Sequence, residues 1–105
     1  MTLEEVYTML SRTGLPVCYK AWPEGAAPPL PYICFFFFEA DNFAADGIVY
    51  HKRLRVTVEL YSRHKDAASE ELIETALTTA GIFWEKEETY IDTEKVFMEI
   101  YEIEV

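Results

Sequence analysis

Apolar positions along the chain recur at two different periods, and the changes of period mark out its elements. Thr2-Leu3-Glu4-Glu5 has the form of a capping box, in which the Thr2 hydroxyl and the Glu5 carboxylate each take up an unpaired backbone N–H at a helix start. Leu3, Val6, Tyr7 and Leu10 then repeat at three- and four-residue spacing, which predicts a helix over residues 3–12 with one apolar stripe. Gly14 ends it, and Pro16 prevents its resumption. Val17, Tyr19 and Ala21 alternate with Cys18, Lys20 and Trp22, the period of a short strand over residues 17–22. Residues 23–30 hold three prolines, a glycine and two alanines with no period at all, which predicts a loop closed by Pro31.

From residue 32 to residue 39 both parities are apolar, with Tyr32, Cys34, Phe36 and Phe38 on one face and Ile33, Phe35 and Phe37 on the other. Such a strand is covered on both sides, by its own domain or by a partner subunit. Asp41-Asn42 and Asp46-Gly47 are turn formers around an isolated Phe43, so residues 40–48 read as an extended hairpin arm. Over residues 49–62, Leu54, Val56, Val58 and Leu60 alternate with Arg53, Arg55, Thr57 and Glu59, the clearest strand in the chain. Asp66 is a good N-cap for a second helix with Leu72, Ile73, Ala76, Leu77 and Ala80 as its packing stripe, stopped by Gly81. Residues 82–91 return as a strand rich in aromatics and acids, and a turn at Thr93 and Glu94 leads to a final strand over residues 96–105. Its apolar parity switches from Val96, Met98 and Ile100 to Tyr101, Ile103 and Val105, which calls for a bulge near Ile100 or burial on both faces. No linker or repeat divides the pattern, so the expectation is a single α+β domain spanning residues 1–105.

Composition narrows the function. Nine Lys and Arg stand against nineteen Asp and Glu, a net charge of −10 that argues against nucleic-acid binding and against adhesion to an anionic bilayer. No apolar run reaches the ~20 residues of a membrane-spanning helix, and Glu4 and Glu5 stand where a secretory signal would be basic. The expected compartment is a cytoplasm, where Cys18 and Cys34 read as reduced, packed thiols. Cys18, Cys34, His51 and His64 are scattered singly, which gives no metal-ligand spacing, and an apolar setting disfavours Cys34 as a nucleophile. The four glycines are isolated and build no phosphate loop. No catalytic, cofactor or metal set emerges, and the expectation is a protein that is not an enzyme.

Acids and aromatics are what remain. Glu85 and Glu87 in one strand, with Glu99 and Glu102 in the next, are read as an acidic face, solvated or lining a pore. Trp22, Pro28 and Pro29 around the loop offer apolar contact surface. Asp41, Asn42, Phe43, Asp46, Val49 and Tyr50 on and beside the arm are the other candidate interface residues, with Phe43 as the anchor.

Gly14-Leu15-Pro16-Val17 with Tyr19, Asp41-Asn42-Phe43 with Ala45-Asp46 and Val49-Tyr50, Glu59-Leu60-Tyr61 with Lys65-Asp66, and Glu88-Thr89-Tyr90-Ile91 with Glu94 resemble a family of small proteins. These are the tail-completion, or tail-terminator, proteins of siphophages and prophages of Gram-positive bacteria. The resemblance runs along nearly the whole chain and carries no catalytic motif. It implies a mainly antiparallel sheet backed by two helices, and copies that assemble as a hexameric ring at the head-proximal end of the tail. The implied partners are further copies of the chain, the major tail protein and the head connector, first in the host cytoplasm and then in the virion. A head-closure or connector protein of the neck, and a small-ligand module walled by Trp22, Trp84 and the phenylalanines, stay open as alternatives.

Overall fold

A computed structural model describes residues 1–39 and 54–105 of the chain. The expected arm, with Asp41, Asn42, Phe43, Asp46, Val49 and Tyr50, lies outside the described residues, as does the stretch 49–53 of the long strand. Helix α1 covers Leu3–Ser11 and strand β1 Val17–Tyr19. Strands β2 (Tyr32–Glu39) and β3 (Leu54–Ser62), helix α2 (Ala67–Thr79), and strands β4 (Trp84–Ile91) and β5 (Val96–Glu104) follow. The five strands form one sheet in the order β1-β2-β3-β5-β4, antiparallel except where β1 lies parallel to β2. This is a single α+β domain with two helices and a mostly antiparallel sheet.

The helix ends follow from local chemistry. The Thr2 hydroxyl accepts from the Glu5 N–H at 3.2 Å while the Glu5 carboxylate accepts from the Thr2 N–H at 2.9 Å, closing the capping box. The bond from the Thr2 N–H, and next the Thr2 hydroxyl beside it, hold the Glu5 carboxyl below its usual range. At α2 the Asp66 carboxylate accepts from the Ser69 N–H at 3.0 Å and from its hydroxyl at 2.8 Å. The other end is a Schellman motif: Gly81, at φ +74°, donates to the Thr78 carbonyl and Ile82 to the Leu77 carbonyl.

Both helices pack on the same face of the sheet. Val6, Met9 and Leu10 of α1 and Ile73 and Leu77 of α2 cover Val17, Ile33, Phe35, Val56, Val58, Leu60, Tyr101 and Ile103. The buried stripes differ from the periodic expectation at their margins. Met9 is buried while Tyr7 flanks the core half-exposed, and Leu72 and Ala80 of α2 face outward. Ser69 and Glu70 take the inward positions of the first turn of α2 instead, because that turn sits over a polar part of the sheet.

Strand β1 is shorter than its alternation suggests. The Lys20 N–H still bonds the Phe35 carbonyl at 2.7 Å, but Lys20 has φ +69° and the Ala21 N–H bonds back to the Tyr19 carbonyl, so the chain leaves the sheet before Trp22. Residues 20–31 then cross over, the length that a parallel connection needs. The parity switch in β5 has no bulge behind it, since pairing to β3 and β4 is continuous on both sides. Phe97, Glu99, Tyr101 and Ile103 face the helices while Val96, Met98 and Ile100 face the other way, and Glu99 interrupts the apolar series on the helix side.

Candidate functional site

Three carboxylates and a lysine meet where α2 begins. Register places Glu99 of β5 beside Glu88 of β4, and the first turn of α2 brings Glu70 down onto them. One carboxylate oxygen from each lies within 4.8 Å of the other two. Lys65, just before the N-cap, donates to Glu70 Oε1 at 3.0 Å and to Glu99 Oε1 at 3.2 Å, and it also pairs with Glu88. A second lysine extends the group. Lys86 pairs with Glu70 and donates to Glu74 Oε2 at 2.8 Å, and the buried Tyr101 hydroxyl donates to that same oxygen at 2.7 Å.

Burial sets the protonation. The Glu99 side chain is 1% exposed, and loss of hydration lifts its carboxyl to about 7, with the neighbouring Glu88 carboxyl adding to the rise and Lys65 opposing it. Glu88, at the wet end of the pair, is lowered by its bond to Glu99 and then by Lys65, so the shared proton resides on Glu99. Lys65 is raised, chiefly by Glu88 and Glu70. For Glu74, burial raises the carboxyl, but the bonds from Lys86 and Tyr101 outweigh it and the net shift is downward. Glu70 Oε2 lies 2.9 Å from Lys65 Nζ without hydrogen-bond geometry, and among the described residues the buried Glu99 Oε2 has no hydrogen-bond partner. The spacing of the three oxygens suits a hard cation, but the Lys65 ammonium already contacts all three carboxylates. The arrangement ties the start of α2 to strands β4 and β5 through charge.

The open face of the sheet carries a different set. Strand alternation puts Cys18, Tyr32, Cys34, Phe36, Thr57, Glu59, Tyr61, Met98 and Ile100 there, and neither helix packs on it. Trp22 reaches over one end, its ring 5.7 Å from Tyr32 in a T-shaped contact, and Tyr32 lies 5.4 Å from Tyr61. Among the described residues, the buried Trp22 indole N–H has no hydrogen-bond partner. Pro28 is half-buried and Pro29 exposed. Tyr61 donates to Glu59 at 3.0 Å, and burial raises the Glu59 carboxyl against that bond.

The predicted acidic face divides. Glu85 lies directly opposite Glu102, and both, with Glu87, are exposed on the open side. Glu102 also accepts from the Thr57 hydroxyl at 3.0 and 3.1 Å. Glu99 does not join them: it is three residues from Glu102 in one strand, an odd separation that turns it to the helix side and into the lysine cluster. Sequence reasoning passed over Lys65, Glu70, Lys86 and Tyr101 as a group. The available signal was Glu99 itself, a charge in phase with Tyr101 and Ile103. It also separated Cys18 from Cys34, which the parallel register places directly opposite each other.

No protein-family model matches the chain, and no curated protein matches it in sequence. Among the described residues no helix is long and apolar enough to cross a membrane.

Proposed function

We propose that the chain is a phage tail-completion protein of the tail-terminator kind, working by head-to-tail assembly of copies into a ring rather than by catalysis. The observation that carries the reading is the unlike make-up of the two edges of the sheet, the Glu-rich β4 at one end and the three-residue β1, followed by Lys20, at the other. Strand β4 ends the sheet on one side, and among the described residues nothing pairs with its outer edge; Glu85, Glu87 and Glu88 along it are exposed. Strand β1 ends the other side, and the exposed Lys20 follows it directly in the chain. A patch that fits a different patch on the next copy gives a heterologous contact, which closes into a ring when its rotation allows. Setting Lys20 of one copy against the acidic β4 edge of the next favours that contact over pairing two β4 edges, which would set Glu against Glu. In this reading the half-buried Phe36, Met98 and Ile100 and the Trp22 end of the open face meet neighbouring subunits or the major tail protein. Glu85, Glu87 and Glu102 form an acidic strip along which DNA passes without adhering.

The test is subunit mass by light scattering over a concentration series, with and without the major tail protein. A ring, or a complex with the tail protein, is the expected result. Glu87→Lys and Lys20→Glu should each weaken it, and the two together should restore part of the loss. A monomer that ignores the tail protein at every concentration overturns the reading.

A further inference from the structure

Cys18 and Cys34 are 16 positions apart in sequence, yet they occupy the same rung of the parallel β1–β2 pair, both on the open face. Both are free thiols. Neighbouring strands lie roughly 5 Å apart, inside the ~4.4–6.8 Å Cα separation that a disulfide spans. The Cys18 thiol donates to the Tyr19 carbonyl at 3.4 Å. The two thiols differ in access: Cys18 is half-buried on an edge strand of three residues, whereas Cys34 is buried on β2 between β1 and β3. An edge strand held by three residue pairs can move the few tenths of an ångström that a covalent bridge asks for, which a central strand cannot.

We infer that Cys18 and Cys34 form a dithiol modification site, which a small-molecule disulfide converts to an intrachain disulfide that staples edge strand β1 to β2. The Cys18 thiolate attacks one sulfur of the reagent; its S–S bond breaks, one thiol leaves, and a mixed disulfide forms on Cys18. Cys34 then attacks the Cys18 sulfur, displacing the second thiol and closing the Cys18–Cys34 bond. The two cysteines lose two electrons and two protons, and the reagent gains them as two thiols. Cys18 is the entry point because it is accessible. Cys34 is the resolving group, and burial, with the neighbouring Cys18 next, pushes its thiol up to about 12, so closure is the slow step and quickens as pH rises. The inference rests on the strand register and the differing burial of the two thiols, and it stands whether or not the chain assembles into a ring.

The test uses the folded full chain incubated with oxidised glutathione and followed by intact mass and by thiol titration without denaturant and with it. The expected result is loss of both titratable thiols in a monomer lighter by two hydrogens, reversed by excess dithiothreitol. Proteolysis without reductant should release one peptide pair joined through Cys18 and Cys34. Cys34→Ser should stop at a glutathione adduct on Cys18. Because that variant removes a buried thiol, the wild-type peptide map decides if it fails to fold. A stable glutathione adduct on the wild type that never closes, a disulfide between two copies, or two thiols that react only after unfolding would each overturn the inference.

Discussion

The two faces of the sheet are built from the same strands and have opposite contents. The helix-covered face buries Ile33, Val56, Val58 and Leu60 completely, and at its β4–β5 end it also encloses Glu70 and Glu99. The open face leaves Tyr32, Phe36, Met98 and Ile100 half-buried beside the exposed Glu85, Glu87 and Glu102. Each face thus carries a minority that its surroundings disfavour, two buried carboxylates on one and half-buried apolar side chains on the other. The difference shows what each face must be paired with. Buried carboxylates are tolerable because Lys65 and Lys86 reach them from the rim and Glu99 keeps its proton. Half-wet aromatics are tolerable in a lone subunit because the acids around them keep it dispersed, and they remain available for a partner.

The harshest way to break this comparison is Val56→Asp, which puts an unpaired charge at the centre of the covered face. A cost of about 4 kcal/mol or more is expected, close to the whole stability of a small domain, so the thermal transition seen by circular dichroism should disappear. A cooperative melt that survives would mean that this face is not the core. Next comes Lys65→Met, which leaves Glu70, Glu88 and Glu99 without a shared cation. Because the lysine side chain is 51% exposed, the loss should stay at about 1–2 kcal/mol, read as a lower urea midpoint with an unchanged slope. Tyr101→Phe should cost about 1 kcal/mol by removing the hydroxyl that bonds Glu74, and equal stability in urea would show that the hydroxyl bond contributes nothing net.

The same cluster has a pH signature. Folding raises the Glu99 carboxyl from an ordinary 4.5 to about 7, so the folded state holds a proton that the unfolded chain releases. Stability from this group is fully present below about pH 4.5 and is lost as pH rises from 4.5 to 7. Glu74 and Glu88, both lowered, act in the opposite sense, and their contribution is lost as pH falls below the ordinary carboxylate range. Glu99→Gln should therefore gain melting temperature relative to the wild type between pH 5 and pH 8. Parallel curves for the two proteins would remove Glu99 as the titrating group. The smallest stability effect belongs to the open face: Ile100→Ser should cost less than about 1 kcal/mol, yet it should weaken self-association or tail-protein binding by light scattering. A large stability loss with unchanged association would place Ile100 in the subunit core instead.

Much of this architecture is legible from residue order because it rests on local periods and caps. Thr2 and Glu5 announce α1, Asp66 and Gly81 bound α2, and the two-sided apolar run of residues 32–39 is the strand β2 that lies inside the sheet between β1 and β3. The helix side of β3 follows from strict alternation. The errors fall where a residue's neighbour comes from another element. Leu72 looks like a stripe residue but faces outward, because Glu70 and Ser69 claim the contact at that end of α2. Glu99 looks like a member of an acidic face until parity is counted against Glu102.

Sequence by itself determined which segments are helix and which are strand, where each helix starts and stops, and which side of β3 is apolar, since these depend on interactions within a few residues of the backbone. Tertiary structure alone decided the order β1-β2-β3-β5-β4, the parallel register that sets Cys18 against Cys34, and the meeting of Lys65 with Glu70, Glu88 and Glu99. Those are contacts between distant positions, and spacing along a chain carries no record of which distant rung a strand will join.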